Sequence, residues 1–530
     1  MKTRRISGIV LTMLVLFAGN LYAWTEATYN TFGGKNAGMN TTSDQNTFLG
    51  YDAGRTNTTG NWNIFMGGGA GYGNTTGNNN IFLGGQTGFY NTTGNNNVFL
   101  GHQAGVFNTT AGNNTFLGFG AGYSNTTGTL NTFSGSYAGS ANTTSSYNTF
   151  IGYSAGRANT IGGDNTFVGE SAGRANIDGY ANTFVGDYAG RQNTTGSYNA
   201  FIGGFAGRSN TTGFYNTFSG YYAGYENTTA SYNTFSGYHA GRFNTTGQYN
   251  TFSGSDAGYT NTAGQYNTFS GYGAGYANTT ASYNTFNGYQ AGYSNTTGER
   301  NTFEGTSAGY KNTTGKYNTL LGYAAGWANT TGNYNTFFGY ATGYKNTTGS
   351  NNLYLGNFAG YENTTGIGNV FLGYNAGRNE IGSGKLYIAN SSTATPLIYG
   401  DFSAQTVMIN GTLYATVVTP SSREYKDNIR QLKAEDAMKT LQGLQPVTFT
   451  YKTSPGENHV GFIAEDVPEL VAAKERKGVS SMDVVSVLTR VVQEQQGLIQ
   501  EQQKMISAHA EKIAALERML IMSRAGSKAD

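Results

Sequence analysis

One 17-residue repeat decides what most of this chain can become. From Asn46 to about Gly384 the sequence reads N-T-F-x-G-Y-x-A-G-Y-x-N-T-T-G-x-Y, unit after unit, without a register slip. The third position is Phe in 18 of 20 units, from Phe48, Phe65 and Phe82 onward, and otherwise Leu320 or Tyr354. The fifth and ninth positions are Gly in all 20, from Gly50 and Gly54 to Gly373 and Gly377. A partial earlier copy, Asn30 to Thr42, sits one residue out of step. A unit this short cannot enclose a core by itself, so neighbours must stack and share one.

Each unit is expected to form one coil of a β-solenoid. N-T-F-x-G alternates like a strand, and Gly-Tyr-x-Ala-Gly follows as a second short strand or a turn. The N-T-T-G run is expected to supply the turn, because Asn and Gly tolerate left-handed backbone. Coils paired like neighbouring strands lie about 4.8 Å apart, so twenty of them would extend on the order of 95 Å. The Phe column is large and apolar throughout and should point inward. The fourth position, facing away from Phe, is apolar at both ends (Leu49, Met66, Leu83; Phe338, Leu355, Leu372) and polar between (Ser219, Ser236, Ser253, Ser270, Asn287, Glu304). Contact with another subunit and drift on a tolerant surface both account for that pattern.

Composition removes several alternatives. The 80 glycines by themselves suit a disordered or fibrous chain, but 31 Phe and 40 Tyr at fixed spacing argue against disorder. A net charge of +2 provides no basic stripe for nucleic acid. There is no cysteine, which excludes disulfides and zinc–thiolate sites, and nothing calls for a cofactor or a metal. Residues 1–23 read as a signal peptide: Lys2, Arg4 and Arg5, an apolar run from Ile9 to Ala18, and Leu21-Tyr22-Ala23 before Trp24. That run falls short of the roughly 20 residues a membrane span needs. The mature chain is therefore expected to be secreted or at the cell surface, with no membrane span.

The organisation that follows is a signal at 1–23, a partial repeat or cap at 24–45, and a solenoid of 20 repeats at 46–384. All five prolines lie beyond the solenoid. Residues 385–419 should form a small β adaptor covering the solenoid's edge, with strands at Lys385–Ile388, Pro396–Tyr399, Val407–Ile409 and Leu413–Ala415. A compact domain at 420–480, a coiled coil at 481–522 and a tail at 523–530 complete the chain.

At Pro420-Ser421-Ser422-Arg423-Glu424-Tyr425-Lys426-Asp427-Asn428-Ile429 and Gly461-Phe462-Ile463-Ala464-Glu465-Asp466-Val467 the sequence resembles the intramolecular chaperone auto-processing domain of phage tail spikes and endosialidases. That family opens with Ser-Asp-x-x-x-Lys and an Asn-Ile pair, continues with Gly-Phe-Ile-Ala-x-(Glu/Asp)-Val, and closes with a coiled coil. The resemblance implies a domain that trimerises, drives folding of the fibre before it, and then cuts itself off between Ser421 and Ser422. Ser421 and Lys426 fall on the family's Ser–Lys pair. A hydroxyl is a weak nucleophile until a base takes its proton, and a lysine whose pKa burial lowers can serve. Ser422 replaces the usual Asp. It offers an alternative nucleophile, because its attack on the Ser421 carbonyl passes through a five-membered ring, whereas attack by Ser421 on its own carbonyl needs four. The bland alternative is that both serines start a turn or cap a helix while Lys426 is solvated. The repeat, for its part, resembles the N-S-x-A-I-G-x-x-A head units of trimeric adhesins, which implies a trimeric β-roll.

The last segment carries its own signal. Val485, Val492, Ile499, Ile506, Ile513 and Leu520 recur every seven residues, and Leu488, Gln495, Gln502, His509 and Leu516 fill the second core position. Five heptads of this kind make a coiled coil, with the polar core residues fixing register and oligomer state.

The fold class expected is thus mainly β: a trimeric 17-residue-repeat solenoid, then a small α+β chaperone domain and a coiled coil. The leading functional expectation is an exported homotrimeric, adhesin-like surface fibre that binds a surface glycan or a host cell. Its only expected enzymatic activity is self-cleavage. The alternatives are a polysaccharide-binding or -degrading spike and a phage-derived tail fibre. Glycoside cleavage needs paired carboxylates, and acids such as Asp52, Asp164, Glu170, Asp187 and Asp256 are scattered through the repeats. The N-T-T run also offers a regular Thr array for binding ice, though its place at a turn beside Gly argues against a flat face, and the Tyr column from Tyr198 to Tyr283 offers rings for stacking sugars.

Overall fold

The computed structural model describes residues 29–413, 421–452 and 456–526. The signal segment at 1–23 lies outside them. The chain divides into two units, one ending at Leu413 and the other beginning at Tyr414.

The first unit is a β-solenoid. Among the described residues it has twenty-one three-residue strands, from Thr31–Gly33 to Val370–Leu372. Each pairs in parallel and in register with the next, Phe on Phe: Phe48 with Phe65, and Phe201 with Phe218. The partial copy is a coil like the others, with Phe32 opposite Phe48. The Phe column is fully buried. Its rings stack at 4.7 Å and 6° between Phe48 and Phe65, and at 4.8 Å and 7° between Phe150 and Phe167. The eighth-position Ala column, from Ala53 to Ala376, is buried against it. The core of most coils is therefore one aromatic ring and one methyl group, with Leu320 in place of the ring in one coil and Thr87 and Thr342 in place of the Ala in two others.

The turns differ from the sequence expectation. Gly-Tyr-x-Ala-Gly is a turn, and the left-handed residues are not those of N-T-T-G. They are the fifth-position Gly (Gly50, φ 141°), the seventh position (Asp52, φ 54°; Tyr222, φ 57°), the ninth-position Gly (Gly54, φ 56°) and the seventeenth position (Tyr198, φ 58°; Tyr283, φ 61°). Glycine is required at the fifth and ninth for two reasons. A Cβ on Gly50 would lie 2.5 Å from the Gly67 carbonyl oxygen of the next coil, and one on Gly54 would lie 2.6 Å from the Phe48 ring. The glycine of N-T-T-G does not take positive φ, and Ala111, Ser145, Ala230 and Ala281 stand at the same position.

The two Asn columns are buried, which was not foreseen. In the twelfth position the amides from Asn74 to Asn346 each donate to the one before, as from Asn74 Nδ2 to Asn57 Oδ1 at 2.7 Å and from Asn91 to Asn74 at 2.7 Å, while Asn363 donates to the Glu380 and Gly382 carbonyls. In the first position the amide oxygen accepts the next coil's backbone N–H, as Asn46 Oδ1 does from Asn63 at 3.0 Å. The Thr hydroxyls of N-T-T are also committed between coils: Thr211 Oγ1 donates to the Thr228 carbonyl at 3.0 Å. The Tyr column from Tyr198 to Tyr283 is a stacked ladder on the surface, with centroids 4.8 to 5.4 Å apart.

The adaptor belongs to the solenoid unit. Lys385–Ile388 pairs in parallel with the last coil, Tyr387 opposite Phe371, and so adds a further rung. The chain then reverses: Ile398–Asp401 and Thr406–Ile409 pair antiparallel. The second of the expected strands thus lies two residues further on than Pro396–Tyr399. Leu413 is in no strand, and the rest of the expected Leu413–Ala415 strand lies outside the described residues.

In the second unit, helix α1 (Ala434–Gly443) and the first turns of helix α2 (Ser481–Gly526) pack around Ala437, Leu444, Val467, Val471, Val487 and Val491. A two-stranded antiparallel sheet joins Val447–Phe449 to His459–Gly461. Arg490 ties the helices' surroundings together by donating to the Leu432 carbonyl at 3.0 Å. The solenoid, the small sheets and the long C-terminal helix make the chain mainly β, as expected.

Candidate processing site

Ser421 opens the described part of the second unit. A short 3-10 turn, Arg423–Tyr425, follows it and brings the chain round so that Lys426 faces back toward Ser421. The Lys426 Nζ donates to the Ser421 Oγ at 2.7 Å. Ser422 is extended (φ −63°, ψ 145°) and caps that turn, its Oγ accepting the Glu424 N–H at 3.3 Å. All three side chains are exposed in the single chain. The structure therefore brings Ser421 and Lys426 together and gives Ser422 the capping role that the bland reading assigned to it. Pro420, where the domain was expected to begin, lies outside the described residues.

The arrangement has two chemical capacities. A neutral Lys426 amine at this distance can take the Ser421 proton. The Ser422 hydroxyl, held one bond beyond the 421–422 peptide, keeps its proton while it accepts as a cap, and it remains on the five-membered path to the Ser421 carbonyl. Among the described residues, no group of three or more His, Cys, Asp or Glu is placed to hold a metal ion, and no helix is long and apolar enough to cross a membrane.

Along α2, the heptad residues foreseen from sequence lie exposed. Val485, Val492, Ile506, Ile513 and Leu520 are 52 to 67% exposed, and Ile499 is 46% exposed. Val484, Val487 and Val491, on another face of the same helix, pack into the domain. The two faces explain the sequence pattern: one builds the domain, and the other is an exposed apolar stripe interrupted at Gln495, Gln502 and His509.

A β-solenoid followed by such a domain fits a fibre- or tail-spike-like protein. Residues 421–474 match the family Peptidase_S74, chaperone of endosialidase, and the C-terminal unit carries that chaperone domain. No curated protein and no solved structure matches the chain.

Proposed function

We propose that the protein is an exported, homotrimeric surface fibre whose C-terminal domain templates assembly of the solenoid and then releases itself. The exposed seam of α2 carries this reading. An apolar column of this length stays in water only at high cost, at about 25 cal/mol for each Å² left uncovered, and three copies of the helix cover it mutually. The polar core positions Gln495, Gln502 and His509 set the register in which they meet. Trimerisation joins three solenoids at one end, which lowers the entropic cost of starting their stacking.

Release breaks the amide between Ser421 and Ser422. In the intramolecular route the Ser422 Oγ adds to the Ser421 carbonyl carbon and the amide nitrogen leaves as the Ser422 amine. Water then hydrolyses the ester, returning the Ser422 hydroxyl and leaving a carboxylate on Ser421. Lys426, hydrogen-bonded to Ser421 beside that carbonyl, is the base that receives the proton and returns it to the departing amine. Intact-mass analysis of the expressed protein tests this directly: a fragment of Ser422–Asp530 is expected. Ser422→Ala should abolish it, and Lys426→Met should slow it by about 10²-fold or more, in line with loss of a general base. Uncut chain from the wild type, or full cleavage in the double variant Ser421→Ala/Ser422→Ala, contradicts the mechanism.

A further inference from the structure

The tenth position of the repeat lies on the solenoid surface and is arginine in four successive coils: Arg157, Arg174, Arg191 and Arg208. In-register parallel pairing places equivalent residues one strand spacing apart, about 4.8 Å, so four like charges stand in file. Where the same column carries Arg55, the seventh-position Asp52 neutralises it at 3.7 Å. Beside the four-arginine run the seventh position is Ser154, Ser171, Tyr188 and Phe205, and none is acidic.

Their contacts are aromatic instead. Arg157 sits 5.3 Å over the Tyr137 ring and Arg191 5.3 Å over Tyr188, while Arg208 donates to the Tyr225 hydroxyl at 3.0 Å. Among the described residues, no carboxylate lies within ion-pair distance of any of the four. Small residues beside the file, Ala158 and Ala175, leave a groove of about 850 Å³. Arg157, Arg174 and Arg191 line it together with Phe119, Tyr123 and Tyr137.

We infer that this groove binds a linear anionic polysaccharide lying along the stack of coils. Each guanidinium presents a planar fork to one carboxylate or sulfate, and the rings lie against the apolar faces of the sugars. A polynucleotide fits less well. The positive charge is one column wide, in a chain of net charge +2, whereas a phosphate backbone calls for a broad basic surface. The sixth-position carboxylates Glu170 and Asp187 flank the file. They offer acceptors to sugar hydroxyls. This inference is independent of the C-terminal chemistry.

Calorimetric titration of the full chain with polygalacturonate, dextran sulfate, neutral dextran and single-stranded DNA tests it. Binding to one or both acidic polysaccharides is expected, weakening as salt rises. Arg174→Gln/Arg191→Gln should weaken it at least tenfold, while Arg174→Lys/Arg191→Lys restores part of the loss and the distant Arg55→Gln leaves it unchanged. The same column holds Val106 and Ser140, so these changes should not alter the melting curve. Polygalacturonate bound in preference to dextran sulfate assigns carboxylate as the recognised group, and the reverse assigns sulfate. No binding to either, equal binding of neutral dextran, tighter binding of DNA, or an unaffected double glutamine variant overturns the inference.

Discussion

Asn210 shows why a polar residue can be a core residue here. Its Nδ2 donates to Asn193 Oδ1 at 2.7 Å and to the Gly213 carbonyl at 3.0 Å, and its Oδ1 accepts from Asn227 at 2.8 Å. An amide carries donor and acceptor together, so identical amides stacked in register satisfy one another. Neither Ser nor Asp can replace that pattern in full. Asn210→Ala should destabilise the solenoid by roughly 1–3 kcal/mol for each buried group left without a partner. Urea unfolding monitored by circular dichroism measures this, and a change below about 0.5 kcal/mol would contradict it. Phe218→Ala should cost about 3–5 kcal/mol in the same assay. Leu320→Phe should be stabilising, because it restores a ring stack between Phe303 and Phe337, at about 0.5–1.5 kcal/mol for each aromatic pair gained. The Phe and Gly columns were legible in the sequence, since their size and backbone demands are local. The buried Asn columns were equally regular, but single-chain propensity reads Asn as a turn former. Only the stacking of coils turns it into a ladder.

At the scale of elements, the solenoid's C-terminal edge is the place where regularity ends. The Asn ladder stops at Glu380, which stands in the twelfth position. Its Oε2 accepts from the Tyr387 hydroxyl at 2.8 Å, and its Oε1 accepts the Gly382 N–H at 2.7 Å. The added strands are pinned by Lys385 Nζ on Asp401 Oδ2 at 2.5 Å. The Lys385 ammonium, then the Ser403 hydroxyl and the Ala404 N–H, hold the Asp401 carboxyl well below the usual carboxylate range. A depressed carboxylate contributes stability that is complete above its unfolded pKa of about 3.9 and is lost as pH falls below it. Hydrogen exchange at Lys385–Ile388 and Ile398–Asp401 should therefore accelerate relative to the inner coils below about pH 4. In Asp401→Asn the exchange should be faster at neutral pH and lose that acid dependence. Equal acid dependence in the variant would assign the effect elsewhere. The extra rung was legible as a strand, but its parallel pairing was not, because pairing direction depends on where the chain returns.

For the whole protein, the proposed function divides the work of folding between the repeat and the C-terminal domain. Each coil encloses only a few buried side chains and gains its hydrogen bonds from neighbours, so the stack needs a place to start. The spacing that brings Ser421 and Lys426 together was legible from the motif, and the structure adds the 2.7 Å contact between them. The capping role of Ser422 was a weaker signal, since a serine before a turn is common. The α2 seam makes a separate prediction. Ile499→Asp/Ile506→Asp should abolish association while leaving the domain's own core, built on Val487 and Val491, intact. Unchanged hydrogen-exchange protection of α1 (Ala434–Gly443) with a fall in sedimentation coefficient would show it.

Sedimentation equilibrium of the purified protein bearing Ser421→Ala/Ser422→Ala, which holds the chain uncut, tests the central claim most directly. A mass of three chains, unchanged on dilution through the micromolar range, is the predicted result. A single-chain or two-chain mass at every concentration would contradict it.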